Sequence, residues 1–274
     1  MNFKYFSKNG KILPIEEAAV PLSNIEYQYG FGVYETIRVN DGIPFFLKDH
    51  IERLEESARI IGLTHEFDDA FVGRCMHELV KKNGGGTCNL KILLIGGKEP
   101  QLNILCLNPL FPDKKLYRDG ADFITYEYER PFPHAKTLNM LQSYLAYKKA
   151  KEAGCYDALL INDMGCITEG TRTNFFLIDG KTLISPPEEE ILLGVTRKAV
   201  LYAAKMNGHS LVQQEIQFSH ALAAQGAFIT STSSKIIPVR SIDGRALATP
   251  PAGLRELMDA YDQFLASCRG KLPE

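Results

Sequence analysis

Hydrophobic and polar positions follow two different periods along this chain, and together they predict a mixed α and β protein. In residues 48–63 the apolar side chains recur at helical spacing, and Gly62 provides a helix end. In residues 33–39 apolar positions form a strand instead, and Asp41-Gly42 makes the following turn. The same patterns predict further helices at 68–82, 138–154, 195–206, 219–224 and 253–268. They predict further strands at 43–47, 89–95, 102–107, 158–161, 167–168, 175–178 and 183–184, and one that begins at Phe228.

These elements divide into two predicted domains. Residues 1–110 combine two helices with antiparallel strands, which is typical of a small α/β domain. Residues 111–121 are rich in Pro, Lys and Asp and lack periodicity, so we expect an interdomain linker there. Residues 122–274 form the larger C-terminal domain.

Composition excludes several classes of function. The formal net charge is −2, with 31 basic and 33 acidic residues, so there is no electrostatic case for binding nucleic acid or an anionic membrane. The first residues lack the apolar core of a signal peptide, and no apolar run reaches the length of a membrane span. The 6 cysteines have no C-x-x-C spacing, which favours buried free thiols over metal ligands or disulfides. We therefore expect a soluble, cytoplasmic protein without a metal site.

The stretch from Arg130 to Asn174 carries the candidate chemistry. Two prolines precede Lys136 and disfavour helix, so this lysine is expected at a loop-to-helix junction. Glu169 interrupts a returning strand. One lysine and one carboxylate are thus expected in a shared region, and we expect the C-terminal domain to carry both.

Three kinds of group together suggest pyridoxal 5'-phosphate. A buried lysine becomes a nucleophile toward an aldehyde when burial removes its charge. A carboxylate such as Glu169 holds a pyridinium nitrogen protonated. Free N–H groups at a helix N-terminus after Gly194, together with the hydroxyl-rich loop T-S-T-S-S, bind phosphate. Residue types alone leave this inference weak, because many proteins contain such groups.

The spelling and order of six segments resemble the class IV, or fold type IV, pyridoxal-phosphate enzymes. This group contains D-amino-acid and branched-chain aminotransferases and aminodeoxychorismate lyases. The segments are Y-G-F-G-V-Y-E-T-I-R, H-I-E-R-L, K-T-L-N, I-T-E-G-T-R-T-N-F-F, L-L-G-V-T-R and T-S-T-S-S-K-I-I-P-V. The resemblance implies an α+β fold of two domains, a small α/β N-terminal domain and a larger pseudo-barrel domain, in a homodimer.

The resemblance also implies a role for particular residues. Lys136 would be the Schiff-base lysine and would move the α-proton. Glu169 would pair with the pyridine nitrogen. The phosphate would be held by Arg53, Val195, Thr196, Ser231 and Thr232. The substrate pocket would be lined by Tyr29, Tyr34 and Arg38.

Each of these residues also has an ordinary structural interpretation. Arg53 could be an exposed helix arginine, and Glu169 could pair with Arg172. The two tyrosines could be core aromatics with satisfied hydroxyls. The acidic run 188–190 is most simply a solvated surface loop, and His134 is more simply structural than a general base.

Three functions remain open from the sequence. The first is an aminotransferase acting on a small amino acid and a 2-oxo acid, similar to the D-amino-acid enzymes, which K-T-L-N-M favours. The second is a 4-amino-4-deoxychorismate lyase that gives 4-aminobenzoate and pyruvate in folate synthesis. The third is an inactive cofactor-binding protein, because Gly96 and Gly97 stand where the D-specific enzymes carry an arginine and a histidine. Lys98 or Arg38 is a candidate for the missing carboxylate contact.

Overall fold

The computed structural model describes residues 3–109 and 111–268, and their contacts group them into two compact units. Of the described residues, the first unit contains 3–109, Ala135–Met140 and Cys268. The second contains Phe111–His134 and Leu141–Ser267. Among the described residues no helix is both long and apolar enough to cross a membrane.

The first unit is an antiparallel sheet covered by helices. Its strands are β1 (Tyr5–Lys8), β2 (Lys11–Pro14), β3 (Gly32–Asn40), β4 (Ile43–Pro44), β5 (Cys88–Ile95) and β6 (Gln101–Leu107). Its helices are α1 (Ile25–Gln28), α2 (Leu47–Ile60) and α3 (Asp69–Lys82), with a 3-10 turn at Ile15–Glu17. The strand order is β2-β1-β6-β5-β3-β4, and every pair is antiparallel.

Alternation along β3 separates two faces of this sheet. Val33, Ile37 and Val39 are buried in one apolar core with residues of α2 and α3. Tyr34 and Arg38 belong to the opposite row of side chains, because successive residues of a strand point to opposite faces. The helix predicted at 48–63 is confirmed as α2, and Gly62 follows it with φ +72, in the left-handed region that glycine adopts readily.

The second unit is built around a closed circuit of strands. Its strands are β7 (Ala121–Glu127), β8 (Asp157–Ile161), β9 (Ile167–Gly170), β10 (Asn174–Asp179), β11 (Thr182–Ser185), β12 (Ser210–Gln213), β13 (Gly226–Ser231), β14 (Lys235–Ile242) and β15 (Arg245–Ala246). Its helices are α4 (Lys114–Asp119), α5 (Leu141–Glu152), α6 (Val195–Met206), α7 (Phe218–Ala223) and α8 (Ala252–Ser267), with a 3-10 turn at Glu188–Glu190.

Six of these strands form the predicted pseudo-barrel. The sheet runs β12-β11-β10-β13-β14-β7-β8-β9, and β9 pairs with β10 as well as β8, so the strands from β10 to β9 close on themselves. Each of the six contributes to one buried apolar cluster, which includes Phe123, Leu159, Ile167, Phe175, Ile229 and Ile237. This arrangement confirms the predicted α+β fold with a pseudo-barrel.

In two segments the bounds of the compact units differ from those of the predicted domains. Residues 114–119 of the expected linker form the short helix α4, because the Asp113 carboxylate caps its N-terminus by accepting from the Lys115 N–H at 2.8 Å. The guanidinium of Arg255 also donates to the carbonyls of Tyr117 and Arg118. The segment therefore groups with the second unit.

The second difference concerns the lysine segment. We expected the C-terminal domain to carry Lys136, but Ala135–Met140 groups with the first unit. The reason is an open strand edge: β4 pairs only with Val39 and Asn40, so the beginning of β3 has room for another partner. The division of the chain into two domains at the predicted bounds stays a prediction.

The expected burial of the cysteines is observed at four positions, whereas Cys155 and Cys268 are only partly buried. All 6 are free thiols, and Cys75, Cys88, Cys106 and Cys166 are buried. Burial raises the pKa of the Cys75 and Cys166 thiols, which keeps them protonated at neutral pH.

Candidate active site

Backbone pairing with β3 fixes the position of Lys136 in the first unit. The Tyr34 N–H donates to the Lys136 carbonyl at 2.9 Å, and the Leu138 N–H donates to the Gly32 carbonyl at 2.8 Å. The Lys136 N–H donates to Ser57 Oγ of α2 at 3.1 Å. The segment is thus anchored on both a strand and a helix, which explains why the predicted helix after it begins only at Leu141.

Gly32 allows this close approach. A Cβ at Gly32 would lie 2.6 Å from the Leu94 carbonyl oxygen and 2.7 Å from Leu138 Cδ1, so a side chain there would force β3 and the lysine segment apart. The absent side chain of Gly32 therefore lets the backbone of β3 lie close to Leu138. The amine of Lys136 lies 4.7 Å from the centroid of the Tyr34 ring.

Arg53 is held by a carboxylate that the sequence analysis did not single out. Glu35 Oε1 accepts from Arg53 Nε at 2.6 Å, and Oε2 accepts from Arg53 Nη2 at 2.8 Å. His50 Nδ1 lies 2.8 Å from the same Oε2. Arg53 is therefore not an ordinary exposed helix residue. The available signal was spacing: Glu35 shares the core-facing row of β3 with Val33 and Ile37.

Burial and neighbouring charges shift the pKa values of Glu35 and His50 in opposite directions. Burial alone would raise the pKa of Glu35, but Arg53 and His50 outweigh that effect and hold its pKa well below the ordinary value. Burial lowers the pKa of His50, and the neighbouring carboxylate only partly opposes this. Glu35 is therefore ionised, and the buried His50 has a reduced tendency to carry a proton.

The three predicted substrate-lining residues are not all in one place. Tyr34 and Arg38 share one face of β3. Tyr29 follows α1 instead, and its side chain is 77 % exposed. The amine of Lys91 lies 3.3 Å from the centroid of the Tyr34 ring, a contact that the sequence analysis missed. Lys91 of β5 is the register partner of Thr36 of β3. Because side chains alternate along a strand, Tyr34, Thr36 and Lys91 lie on the same face of the sheet, which explains the contact.

Steric crowding accounts for the glycine at position 96, in the loop that lacks the expected arginine. A Cβ at Gly96 would lie 2.4 Å from the ring of Phe31, so this backbone position leaves no space for a side chain. An arginine at position 96 would have to displace that aromatic ring.

Glu169 owes its placement in the second unit to an irregularity in β9. Leu159 pairs with Gly170 and Ile161 pairs with Ile167. An advance of two residues on β8 thus corresponds to three residues on β9, which therefore contains a bulge. Such a bulge changes the direction of a side chain, and bulges are frequent beside active sites. Glu169 is buried, with a relative exposure of 4 %.

The carboxylate of Glu169 has partners on both oxygens. Arg130 Nη1 donates to Oε1 at 2.7 Å, and Oε2 accepts from the Leu192 N–H at 3.1 Å and from Asn174 Nδ2 at 3.5 Å. The expected alternative partner Arg172 instead lies with its Cζ 4.1 Å from the centroid of the Tyr147 ring. An ionised carboxylate has about four acceptor positions, so these bonds leave room for one more donor such as a pyridinium nitrogen.

The phosphate-binding candidates gather at the start of α6. Its N-cap is Gly194, which offers no side-chain cap, so the first N–H groups of the helix, at Val195 and Thr196, have no partner within the helix. Thr196 Oγ1 and Thr232 Oγ1 lie 3.4 Å apart, which places the hydroxyl loop beside the helix end. Ser231 Oγ lies 2.5 Å from Ser234 Oγ. Donors with a helix dipole behind them fit an anionic phosphate.

Replacing Gly194 by alanine tests this helix end. The new Cβ would lie 2.2 Å from Asn174 Oδ1, so the first turn of α6 would have to shift. Because a displacement of about 1 Å is costly for a group that positions a ligand, we expect at least about tenfold weaker binding of pyridoxal phosphate. The measurement is a titration of the apoprotein followed by absorbance.

Gly73 provides the matched control, because a Cβ there meets nothing within 4 Å in the middle of α3. Gly73→Ala should leave cofactor binding unchanged and stabilise the fold by about 0.5–1 kcal/mol. Equal binding by Gly194→Ala and the native chain would show that the end of α6 does not hold the phosphate.

Taken separately, each unit holds residue types whose chemistry suits a group of pyridoxal phosphate. The first unit provides a positioned lysine and an arginine, and the second provides a buried carboxylate and an uncapped helix end with hydroxyls. The nearby His134 ring contacts the Glu188 carbonyl at 2.8 Å through Nε2, which agrees with the structural interpretation of this histidine.

The known proteins that this chain resembles belong to one family. The family described as class IV amino-transferases matches residues 32–242. A D-alanine aminotransferase of Bacillus licheniformis is 33% identical over 258 residues, which cover 89% of this chain and 90% of that protein. A putative branched-chain-amino-acid aminotransferase of Methanocaldococcus jannaschii is 32% identical over 260 residues, again with 89% and 90% coverage.

A solved structure agrees over nearly the full length. The T.th. branched-chain amino acid aminotransferase with pyridoxamine 5'-phosphate has a TM-score of 0.88 and 25% identity, and the match covers 98% of this chain and 96% of that one. These matches favour aminotransferase activity over the lyase alternative.

Proposed function

We propose, from the premise that this chain belongs to the class IV aminotransferases, that it transfers an amino group between a small amino acid and a 2-oxo acid with pyridoxal 5'-phosphate as its cofactor. Enzymes of this family use that cofactor, and the T.th. relative was solved with its amine form. The observation that carries the proposal is Lys136, whose backbone is anchored on β3 and α2 and whose amine faces the Tyr34 ring.

The proposed site divides the work among this chain's own residues. Lys136 Nζ would hold the cofactor covalently and later accept and return the α-proton of the substrate. The carboxylate of Glu169 would face the ring nitrogen. Bound there, the cofactor supplies an aldehyde carbon and an electron-withdrawing ring, which together make the α-proton of the amino acid acidic. The phosphate would be held by Arg53, Val195, Thr196, Ser231 and Thr232.

For the substrate carboxylate we propose Arg38. It lies on the face of β3 that carries Tyr34, whereas position 96 has no space for the arginine of the D-specific enzymes. A guanidinium matches a carboxylate by two parallel hydrogen bonds, which orient the amino acid as well as bind it. The relatives are named for D-alanine and for branched-chain amino acids, so both classes of substrate belong in a first test.

The homodimer and the cytoplasmic location stay predictions. Leu22, Ile25, Tyr27 and Tyr29 place four large, exposed apolar or aromatic side chains within one short segment, which supports a surface that a second copy covers. Light scattering should then give twice the mass of 30.6 kDa, and a mass near that of one chain would exclude the dimer.

A spectroscopic screen tests the proposed activity. We expect D-alanine or a branched-chain L-amino acid to convert the bound cofactor to its amine form, which moves the absorbance from the visible band to the near ultraviolet. Addition of a 2-oxo acid should restore the visible band, because the reaction runs in two reversible halves.

Two other outcomes would contradict transamination. Release of 4-aminobenzoate from aminodeoxychorismate without an amino acceptor would identify a lyase. A yellow protein whose spectrum no amino acid changes would indicate a cofactor-binding protein without turnover.

A further inference from the structure

Glu35 is a charged residue in an apolar row. It lies on β3 between Val33 and Ile37, faces the same core, and has a relative exposure of 0 %. Burying a carboxylate is costly unless it is paired and fully hydrogen-bonded. An apolar residue would suit this position better if packing were its only role.

The pairing of Glu35 with Arg53 fixes the plane of the guanidinium. The carboxylate engages the Nε–Nη2 edge through two bonds of 2.6 and 2.8 Å. Such a two-point contact sets orientation as well as distance, which a single bond or a lysine could not do. The N–H bonds of Nη1 and the second N–H bond of Nη2 are thereby directed away from Glu35. The Arg53 side chain is only 11 % exposed, so its surroundings restrict it further.

The helix that carries Arg53 also holds the catalytic lysine in register. His50, Arg53 and Ser57 are separated by three and four residues, so they share one face of α2. His50 Nδ1 reaches the Glu35 carboxylate at 2.8 Å, and Ser57 Oγ accepts the Lys136 N–H at 3.1 Å. One helix face thus joins Glu35, the arginine and the backbone of Lys136.

We propose that Glu35 is a positioning residue for the phosphate of the cofactor and acts through Arg53, with His50 as the second group that holds its carboxylate. The inference rests on the proposed function, because Arg53 is proposed there as a phosphate ligand. Glu35 does not meet the phosphate, which its own negative charge would repel; it directs the guanidinium that does.

The test compares two ligands that differ only in the phosphate. Pyridoxal and pyridoxal phosphate share the aldehyde that reacts with Lys136, and only the second engages Arg53. We expect Glu35→Gln to lower the ratio of their affinities by about tenfold or more, a typical effect of removing a group that orients a ligand-binding residue. Binding of pyridoxal itself should change little. Absorbance titration of the apoprotein gives both dissociation constants without any turnover.

A purely structural role for Glu35 would move both affinities together and leave the ratio unchanged, which would overturn the proposal. Glu56→Gln is the matched control, since it removes a carboxylate of α2 that pairs with Arg59 at the exposed surface. That variant should keep the native ratio.

A double variant tests whether the effect passes through Arg53. In an Arg53→Gln background, Glu35→Gln should change the ratio no further, because residues that act through one contact are not additive. An undiminished effect in that background would also overturn the proposal. Where Glu35→Gln does not fold, His50→Asn removes one support of the same carboxylate, and we expect a smaller drop in the ratio; an unchanged ratio contradicts the proposal.

The proposed function can fail separately. If the native protein transaminates but Glu35→Gln keeps the native ratio of the two affinities, only the proposed role of Glu35 is excluded. If the native protein binds pyridoxal phosphate no more tightly than pyridoxal, both the proposed phosphate site and the proposed role of Glu35 are excluded.

Discussion

Lys136→Ala should abolish transamination, with a loss of at least about 10³-fold in the rate, because one variant removes both the covalent anchor and the group that moves the α-proton. The visible absorbance of the lysine-bound cofactor should disappear at the same time. Pyridoxal phosphate should still bind through its phosphate, but more weakly and without a covalent bond that borohydride can fix.

The measurements are the single-turnover rate with the best amino acid of the screen and peptide mapping after borohydride reduction. The native chain should carry the label on Lys136. Lys115→Ala is the matched control, since Lys115 is an exposed lysine of α4, and this variant should keep the native rate and label. A label on another lysine, or a Lys136→Ala variant with native turnover, would contradict the assignment.

Local patterns were enough to predict the elements that surround this lysine. Helical spacing predicted α3 to within one residue and α2 to within three, since each helix has one apolar stripe that packs on the sheet. The order of six short segments gave the family and the pseudo-barrel. These features depend on neighbours in the sequence or on a family resemblance, and both are visible in the residues themselves.

Contacts between distant parts of the chain could not be predicted in the same way. The lysine segment was expected with the C-terminal residues that follow it, yet it pairs with β3, about a hundred residues earlier, because that strand has an open edge. Arg130 and Glu169 are 39 positions apart and meet only because β9 is closed onto the barrel beside a bulge. No periodicity signals such a meeting.

Charged residues were the hardest to interpret. Glu35 occupies a core-facing position and could have been noticed by strand alternation, but its partners lie on a different element. The run at residues 188–190 was expected to be solvated, whereas Glu188 pairs with the buried Arg197 at 2.9 Å and Glu190 accepts from Asn162 at 3.0 Å. Burial lowers the pKa of Arg197, and Glu188 opposes that change, so the pair stabilises a charge that the core would otherwise disfavour.

The second large effect is expected at Glu169. Glu169→Gln should lower the rate of the first half-reaction on the order of 10²–10³-fold, the usual cost of removing a fixed electrostatic partner of the reacting group. The amide keeps the size of the side chain but loses the negative charge that favours a protonated ring nitrogen. The amide oxygen can still accept from Arg130, but the neutral side chain no longer offsets the charge of the guanidinium beside it, which would further oppose positive charge on the ring.

Binding and chemistry should separate in this variant. The phosphate and Lys136 remain in place, so Glu169→Gln should still form the visible absorbance band while the stopped-flow rate of its conversion falls. Glu190→Gln is the control, because it removes a carboxylate that accepts from Asn162 in the same unit and has no proposed contact with the ring. If Glu169→Gln converted the cofactor as fast as the native chain, the carboxylate would not act on the ring nitrogen, and its burial between Arg130 and the Leu192 N–H would be purely structural.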